Sequence, residues 1–373
     1  MTISARPLGA SLAWPTSRRR YGRSIPHRRS TSKVQFLAGA GRLAMRVVVS
    51  IPRTLLFWLI VISALAFWWP SGSAENSYWF DPFLASKPGL NWLFALTMLA
   101  IGSLLPPEEV RQLVRRWPAV LGGTAVQYTA MPLLAWLVAG WFGLEGPARI
   151  GVLMAGCVPG AMASNVLTLM ARGNVSYSVS LTTSATLLSP LAVPLALRLA
   201  IGSSYDSFPA LELIWQLCWM VVLPVLVGYS MARLWRSWAG WAQRLGPMIA
   251  NLAILWIIAV TVAANRETLL AMQSAFLLAL LSLNLGGYLA GYLAAKAMRL
   301  PVPMVRALTL EIGMQNAGLG AVLAMRLFGP QAAVAPACYS FGCMLTGTIL
   351  AAIWARWGAT SRLHTSEQSP NGA

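Results

Sequence analysis

The sequence predicts an all-α polytopic membrane protein, and three observations carry that reading. Apolar runs of about twenty residues, the length a helix needs to cross a bilayer, recur along nearly the whole chain. Only 10% of the 373 residues are charged, where an ordinary soluble domain carries about a quarter, and mean hydropathy is +0.63. The cations that raise the net charge to +18 sit in an N-terminal tail and in short loops between apolar runs. That placement is a topology signal, and it argues against nucleic-acid binding.

Residues 1–50 hold ten Arg/Lys and no acid, and the first acid is Glu75. Arg18-Arg19-Arg20 and Arg28-Arg29 lie among Ser, Pro and Gly, which predicts disorder. The segment reads as a cytoplasmic basic arm, as an Arg- and Ser-rich organellar transit peptide, or as an upstream start-site artefact. A secretory signal is disfavoured, because no clean apolar stretch with a small-residue cleavage site follows.

A membrane domain is expected over 51–357, with a C-terminal tail over 358–373. From Pro52 onward about ten spans can be drawn. They lie near Thr54–Trp69, Gly89–Leu105, Pro118–Val138, Ala148–Ala171, Val175–Ala200, Leu213–Leu234, Gly246–Ala264, Leu269–Met298, Val302–Phe328 and Gln331–Trp357. Trp and Tyr cluster near several ends, as interfacial anchors do. Gly287 and Gly291 form a small-xxx-small pair that predicts close helix packing. Residues 106–117 read as an amphipathic helix lying on the membrane face.

Charge orients the spans. Loops on the side of the N-terminus carry Arg111, Arg115, Arg116, Arg172, Arg233, Arg236, Arg244, Lys296, Arg299 and Arg306. The other side carries only Lys87, Arg149, Arg198, Arg266 and Arg326. Ten against five places both termini in the cytoplasm. The membrane is expected to be the bacterial inner membrane, with the plastid inner envelope as the alternative.

Ten spans divide into two sets of five. An odd number of crossings inserts the second set upside down, so the halves are inverted repeats. The fourth span of each half is interrupted. One break lies in Gly156–Asn165, where Pro159 removes a backbone donor and frees a carbonyl one turn earlier. The other is Glu311-Ile312-Gly313-Met314-Gln315-Asn316. Matched breaks in matched spans point to a transporter site at mid-depth. Glu311 is the only acid placed deep in an apolar segment, where a carboxylate costs a few kcal/mol unless it faces a polar cavity or a partner.

Around Glu311 the sequence offers Ser164 and Asn165 after the first break, and Ser178 and Thr182 on one helix face. Ser and Thr also bond their own helix carbonyls, which explains any single one of them equally well. Gln127, ahead of Met131-Pro132, is a lone mid-span amide that fits either an ion ligand or an interhelical hydrogen bond. Cys157, Cys218, Cys338 and Cys343 all lie in apolar segments, without metal spacing, and read as buried free thiols.

Pro159-Gly160-x-x-Ala163-Ser164-Asn165, then Ala171-Arg172-Gly173-Asn174, a Ser-rich span to Ser189-Pro190, Glu311-x-Gly313-x-Gln315-Asn316 and Gln127 ahead of Met131-Pro132 together resemble the bile acid:sodium symporter superfamily. The resemblance covers about residues 54–357. It implies ten helices in inverted five-helix repeats, a panel and a core domain, and unwound helices four and nine that cross. It implies one sodium site at Ser164, Asn165, Ser178, Thr182 and Glu311. A second would use Gln127, Glu311, Gln315 and the carbonyls of Ile312 and Met314. Substrate would sit at the crossing near Asn316, with Ala161, Met162, Met344 and Thr346 around it.

Two departures bear on substrate. The family often has Gly-Gly-Thr after the proline, where this chain has Gly160-Ala161-Met162. The tenth helix often has His-Asn, where this chain has Cys343-Met344-Leu345-Thr346-Gly347. An apolar wall predicts a more apolar organic anion. The expected function is sodium-coupled symport of an organic anion, bile-acid-like or a small carboxylate, with sodium as coupling ion and no other cofactor. The alternative is a sensor or receptor on the same fold. An enzyme is disfavoured: His27 and His364 lie in tails, Asp81 and Asp206 in loops, so no buried catalytic pair can be built.

Overall fold

The computed structural model describes residues 55–70, 80–108, 111, 115–202 and 208–366. The basic arm, Asp206 and residues 109, 110 and 112–114 of the expected amphipathic helix at 106–117 lie outside the described residues. Among the described residues every regular element is helical.

The helices are α1 (Leu55–Phe67), α2 (Pro82–Ala85), α3 (Leu90–Leu104), α4 (Trp117–Trp141), α5 (Gly146–Cys157), α6 (Ala163–Met170) and α7 (Val175–Ile201). They continue with α8 (Ala210–Leu234), α9 (Arg236–Ala263), α10 (Arg266–Leu270), α11 (Ser274–Ala297), α12 (Val302–Gly313), α13 (Ala317–Leu327) and α14 (Val334–Ser366). Among the described residues, five segments are long and apolar enough to cross a membrane by themselves: α7, α8, α9, α11 and Pro330–Arg356. The fourth and ninth expected spans are each split in two, as α5/α6 and α12/α13. The seventh begins earlier than hydropathy indicates, at Arg236, and the eighth is preceded by the separate short α10. The last helix runs to Ser366, past the boundary expected at 357.

Local chemistry explains the irregularities. In α8 the stretch Cys218–Val222 widens into a π turn just before Pro224. A proline has no N–H to give and its ring crowds the preceding turn, so one wider turn relieves both. Asp81 caps α2, its Oδ1 accepting from the N–H groups of Phe83 (2.9 Å) and Leu84 (3.1 Å). Arg266 then binds this cap to α1, with Nη2 2.8 Å from Asp81 Oδ2 and 2.7 Å from the Ala66 carbonyl.

Packing follows the polar and small residues. On α11 the residues Leu277, Leu281, Leu285, Leu289 and Leu293 form an exposed stripe at four-residue spacing, a face suited to lipid. The opposite face carries Leu283, Asn284, Gly287, Tyr288 and Gly291, all buried. A Cβ at Gly287 would lie 3.0 Å from Gly313 Cα, and one at Gly291 2.9 Å from Thr309 Cα. The small pair therefore lets α11 press directly on α12. Elsewhere α3 packs on α8 and α9, and α4 packs on α7 and α11. Arg266 with Asp81, Arg326 with Glu212, and Arg306 with the Ala171 carbonyl each join segments that the charge count assigns to one side.

Candidate functional site

The two broken helices meet at their breaks. Gly160 and Gln315 face each other as an isolated antiparallel bridge. The Ala161 N–H donates to the Met314 carbonyl at 2.7 Å, and the Asn316 N–H donates to the Pro159 carbonyl at 2.8 Å. A single rung of sheet pairing thus satisfies backbone groups that each helix released by breaking. Four half-helices converge here, and their ends differ in character. The C-terminal ends of α5 and α12 present carbonyls, while the N-terminal ends of α6 and α13 present N–H groups.

Glu311 sits in the last turn of α12, 2% exposed and the one buried acid among the described residues. Its Oε2 accepts from the hydroxyls of Ser164 at 2.5 Å and Ser178 at 3.3 Å. Its Oε1 accepts from the Thr182 hydroxyl at 2.6 Å. The Thr182 hydroxyl also lies 3.1 Å from the Ser178 carbonyl, so both readings of that residue hold at once. Asn165 is the next residue after Ser164, and its Oδ1 is buried without a hydrogen-bond partner. Gly160 is required at its position, because a Cβ there would run into the Glu311 carboxylate.

Three hydroxyls bound to one buried carboxylate, with the Asn165 amide oxygen one residue on from Ser164, are oxygen donors of the kind a small hard cation takes. A hydroxyl that now donates to the carboxylate can rotate to offer its lone pairs to a cation. The unpartnered Asn165 Oδ1 is the acceptor such an ion would complete. On these grounds the residues present fit a sodium ion.

Gln127 lies on α4, 2% exposed. Its Nε2 donates to the Gln315 Oε1 at 2.7 Å and to the Val158 carbonyl at 3.1 Å. Its own Oε1 is a second buried acceptor without a partner. Gln315 Nε2 donates in turn to the Ile312 carbonyl at 2.6 Å, while the Met314 carbonyl is the one held by Ala161. Gln127, Ile312, Met314 and Gln315 are thus brought together beside Glu311.

The expected substrate residues separate. Ala161, Met162, Asn316 and Met344 line one cavity of about 70 Å³. Its wall also includes Leu55, Phe94 and Met98 from α1 and α3, Leu255 from α9, Ser340 and Cys343 from α14, and Gln315 from the break itself. Asn316 also caps α13, its Oδ1 accepting from the Leu319 N–H at 3.2 Å. Thr346 is not in that wall. Its hydroxyl donates to Asn284 Oδ1 at 2.6 Å, inside the helix packing.

Residues overlooked in the sequence complete the site. Thr168 stands 3.3 Å from the Ser178 hydroxyl. Asn284 and Tyr339 both donate to the Gly313 carbonyl, each at 2.8 Å. Asn284 carried the signal that picked out Gln127, a lone amide in the middle of an apolar run. The four cysteines are free thiols, with Cys157 and Cys343 buried.

Comparison with known proteins gives the family of the chain. A family model described as the sodium bile acid symporter family matches residues 92–272. The chain is 36% identical over 308 residues to the uncharacterized sodium-dependent transporter YocS of Bacillus subtilis (strain 168), covering 82% of this chain and 91% of that protein. It is 31% identical over 270 residues to the probable chloroplastic sodium/metabolite cotransporter BASS1 of Arabidopsis thaliana, covering 71% of this chain and 67% of that protein. It is 29% identical over 244 residues to human sodium/bile acid cotransporter 4, covering 63% and 55% respectively.

Proposed function

This chain belongs to the sodium bile acid symporter family, and from that premise we propose that it couples sodium entry to uptake of an organic anion by alternating access. It is a membrane transporter and not an enzyme, and its relatives are named as sodium-dependent carriers. The single observation that carries the ion assignment is Glu311 ringed by Ser164, Ser178 and Thr182, beside an Asn165 oxygen left without a partner. We assign the first sodium to these residues. The second belongs to Gln127, Glu311, Gln315 and the Ile312 and Met314 carbonyls.

The anion assignment rests on a different feature. Ala161, Met162 and Ala163 at the start of α6, and Asn316, Ala317 and Gly318 at the start of α13, all line the cavity. Two helix N-termini favour negative charge there. Apart from Thr97, Gln315 and Ser340 the rest of the wall is apolar, with Cys343 and Met344 where polar groups are common in the family. This supports an anion with an apolar body. Gln315 belongs both to the second sodium set and to the cavity wall, so sodium and anion share one pair of breaks and binding of one orders the backbone that receives the other.

In the architecture that fits best, α1, α3, α8 and α9 form a panel. A core of α4 to α7 and α11 to α14 moves against it, with the cavity lying between them. The packing of α3 on α8 and α9, and of α4 on α7 and α11, supports that division. The two halves of the chain, spans one to five and spans six to ten, are five-helix inverted repeats, each contributing to panel and core, with both termini cytoplasmic.

Uptake of labelled organic anions into proteoliposomes tests the reading. Accumulation driven by an inward sodium gradient is expected, with none when potassium replaces sodium. Equal uptake in both media would remove the coupling, and sodium-dependent binding without flux would favour a receptor.

A further inference from the structure

A second group of polar side chains, Asn284 and Tyr339 buried and Thr346 partly so, meets the break at the Gly313 carbonyl. Asn284 of α11 donates from Nδ2 to the Gly313 carbonyl at 2.8 Å, and its Oδ1 accepts from the Thr346 hydroxyl at 2.6 Å. Tyr339 of α14 donates to the same Gly313 carbonyl at 2.8 Å. The Tyr288 hydroxyl lies 3.2 Å from that of Thr346. Gly313 is the last residue of α12, directly between Ile312 and Met314.

Breaking α12 releases consecutive carbonyls, and this group decides which way they point. Two donors draw the Gly313 carbonyl toward α11 and α14. Ile312 and Gly313 still belong to α12, and Met314 is the first extended residue (ψ 98°), so the chain turns at Gly313. The Ile312 oxygen meets Gln315 Nε2 and the Met314 oxygen meets the Ala161 N–H, while neither goes to Asn284 or Tyr339. Asn284 does for the Gly313 carbonyl at the end of α12 what Gln127 does for the Val158 carbonyl at the end of α5. The same α14 segment supplies Ser340, Cys343 and Met344 to the cavity wall.

We propose that Asn284, Tyr339 and Thr346 are positioning residues for cation binding, which hold the Gly313 carbonyl back so that its neighbours face the ion. The proposal rests on the sodium reading above. None of the three touches the ion; they act through the backbone of the break.

The test is sodium titration of thermal stability in detergent, with choline replacing sodium at constant ionic strength. Tyr339→Phe, Thr346→Val and Asn284→Leu are each expected to raise the sodium midpoint about tenfold, as loss of outer-shell support does at metal sites. Thr346→Ser, which keeps the hydroxyl, is expected to behave as wild type. Variants that fold in choline and keep the wild-type midpoint would overturn the proposal. A wild-type protein that shows no sodium shift would sink the sodium reading itself and the proposal with it. Should Asn284→Leu fail to fold, Tyr339→Phe decides, because it removes a single oxygen.

Discussion

The Ser164 hydroxyl donates a hydrogen bond to Glu311 Oε2 across 2.5 Å, although the two residues come from different broken helices. Ser178 and Thr182 of α7 reach the same carboxylate. Three elements thus converge on one charge that no described cation neutralises. Glu311→Gln is expected to abolish sodium-driven uptake while leaving the protein folded, since the amide keeps the volume and loses the charge. Proteoliposome uptake and a sodium thermal titration check it together. Retention of sodium dependence would mean the charge lies elsewhere.

Asn165→Ala and Ser178→Ala each delete one oxygen of the first site. An apparent sodium affinity about tenfold weaker is expected for either. Thr168→Val should do less, because Thr168 meets only the Ser178 hydroxyl, at 3.3 Å. Sodium concentration curves for the three variants rank them, and a reversed order would redraw the site.

Gly160→Ala places a methyl group against the Glu311 carboxylate. Overpacking of this kind costs about 1–3 kcal/mol. A lower melting temperature in choline and a weakened sodium response are both expected. An unchanged protein would show that the two breaks do not approach so closely.

Arg266→Ala separates stability from coupling. Arg266 binds the Ala66 carbonyl and Asp81, far in sequence from the broken helices. Loss of these charge-assisted bonds is expected to cost about 2 kcal/mol. The sodium midpoint should not move, and a shifted midpoint would tie this contact to the ion site.

Met344→Asn returns a polar group to the cavity wall. Competition by a series of anions graded in apolarity is expected to shift toward the more polar members. Asn316→Ala should weaken anion binding and also cost about 1 kcal/mol through the lost cap of α13. Anion-induced thermal shifts measured at saturating sodium isolate these effects.

The sequence by itself determined the helical membrane class, the place of both breaks and the identity of Glu311 as the deep acid. Each is a local property: an apolar run, a proline or glycine within it, a charge where charges are costly. It marked Gln127 as a polar group that needed a partner, but left open whether the partner was a helix or an ion. Only the tertiary structure decided that Gly160 pairs with Gln315, that Thr182 reaches Glu311 as well as its own helix, and that Thr346 turns from the cavity toward Asn284. Those outcomes depend on which face each helix presents and on contacts between residues more than a hundred positions apart in the first two cases. Hydropathy records how deep a residue can lie in the bilayer. It does not record which neighbour it meets there, because that is settled by the packing of other helices.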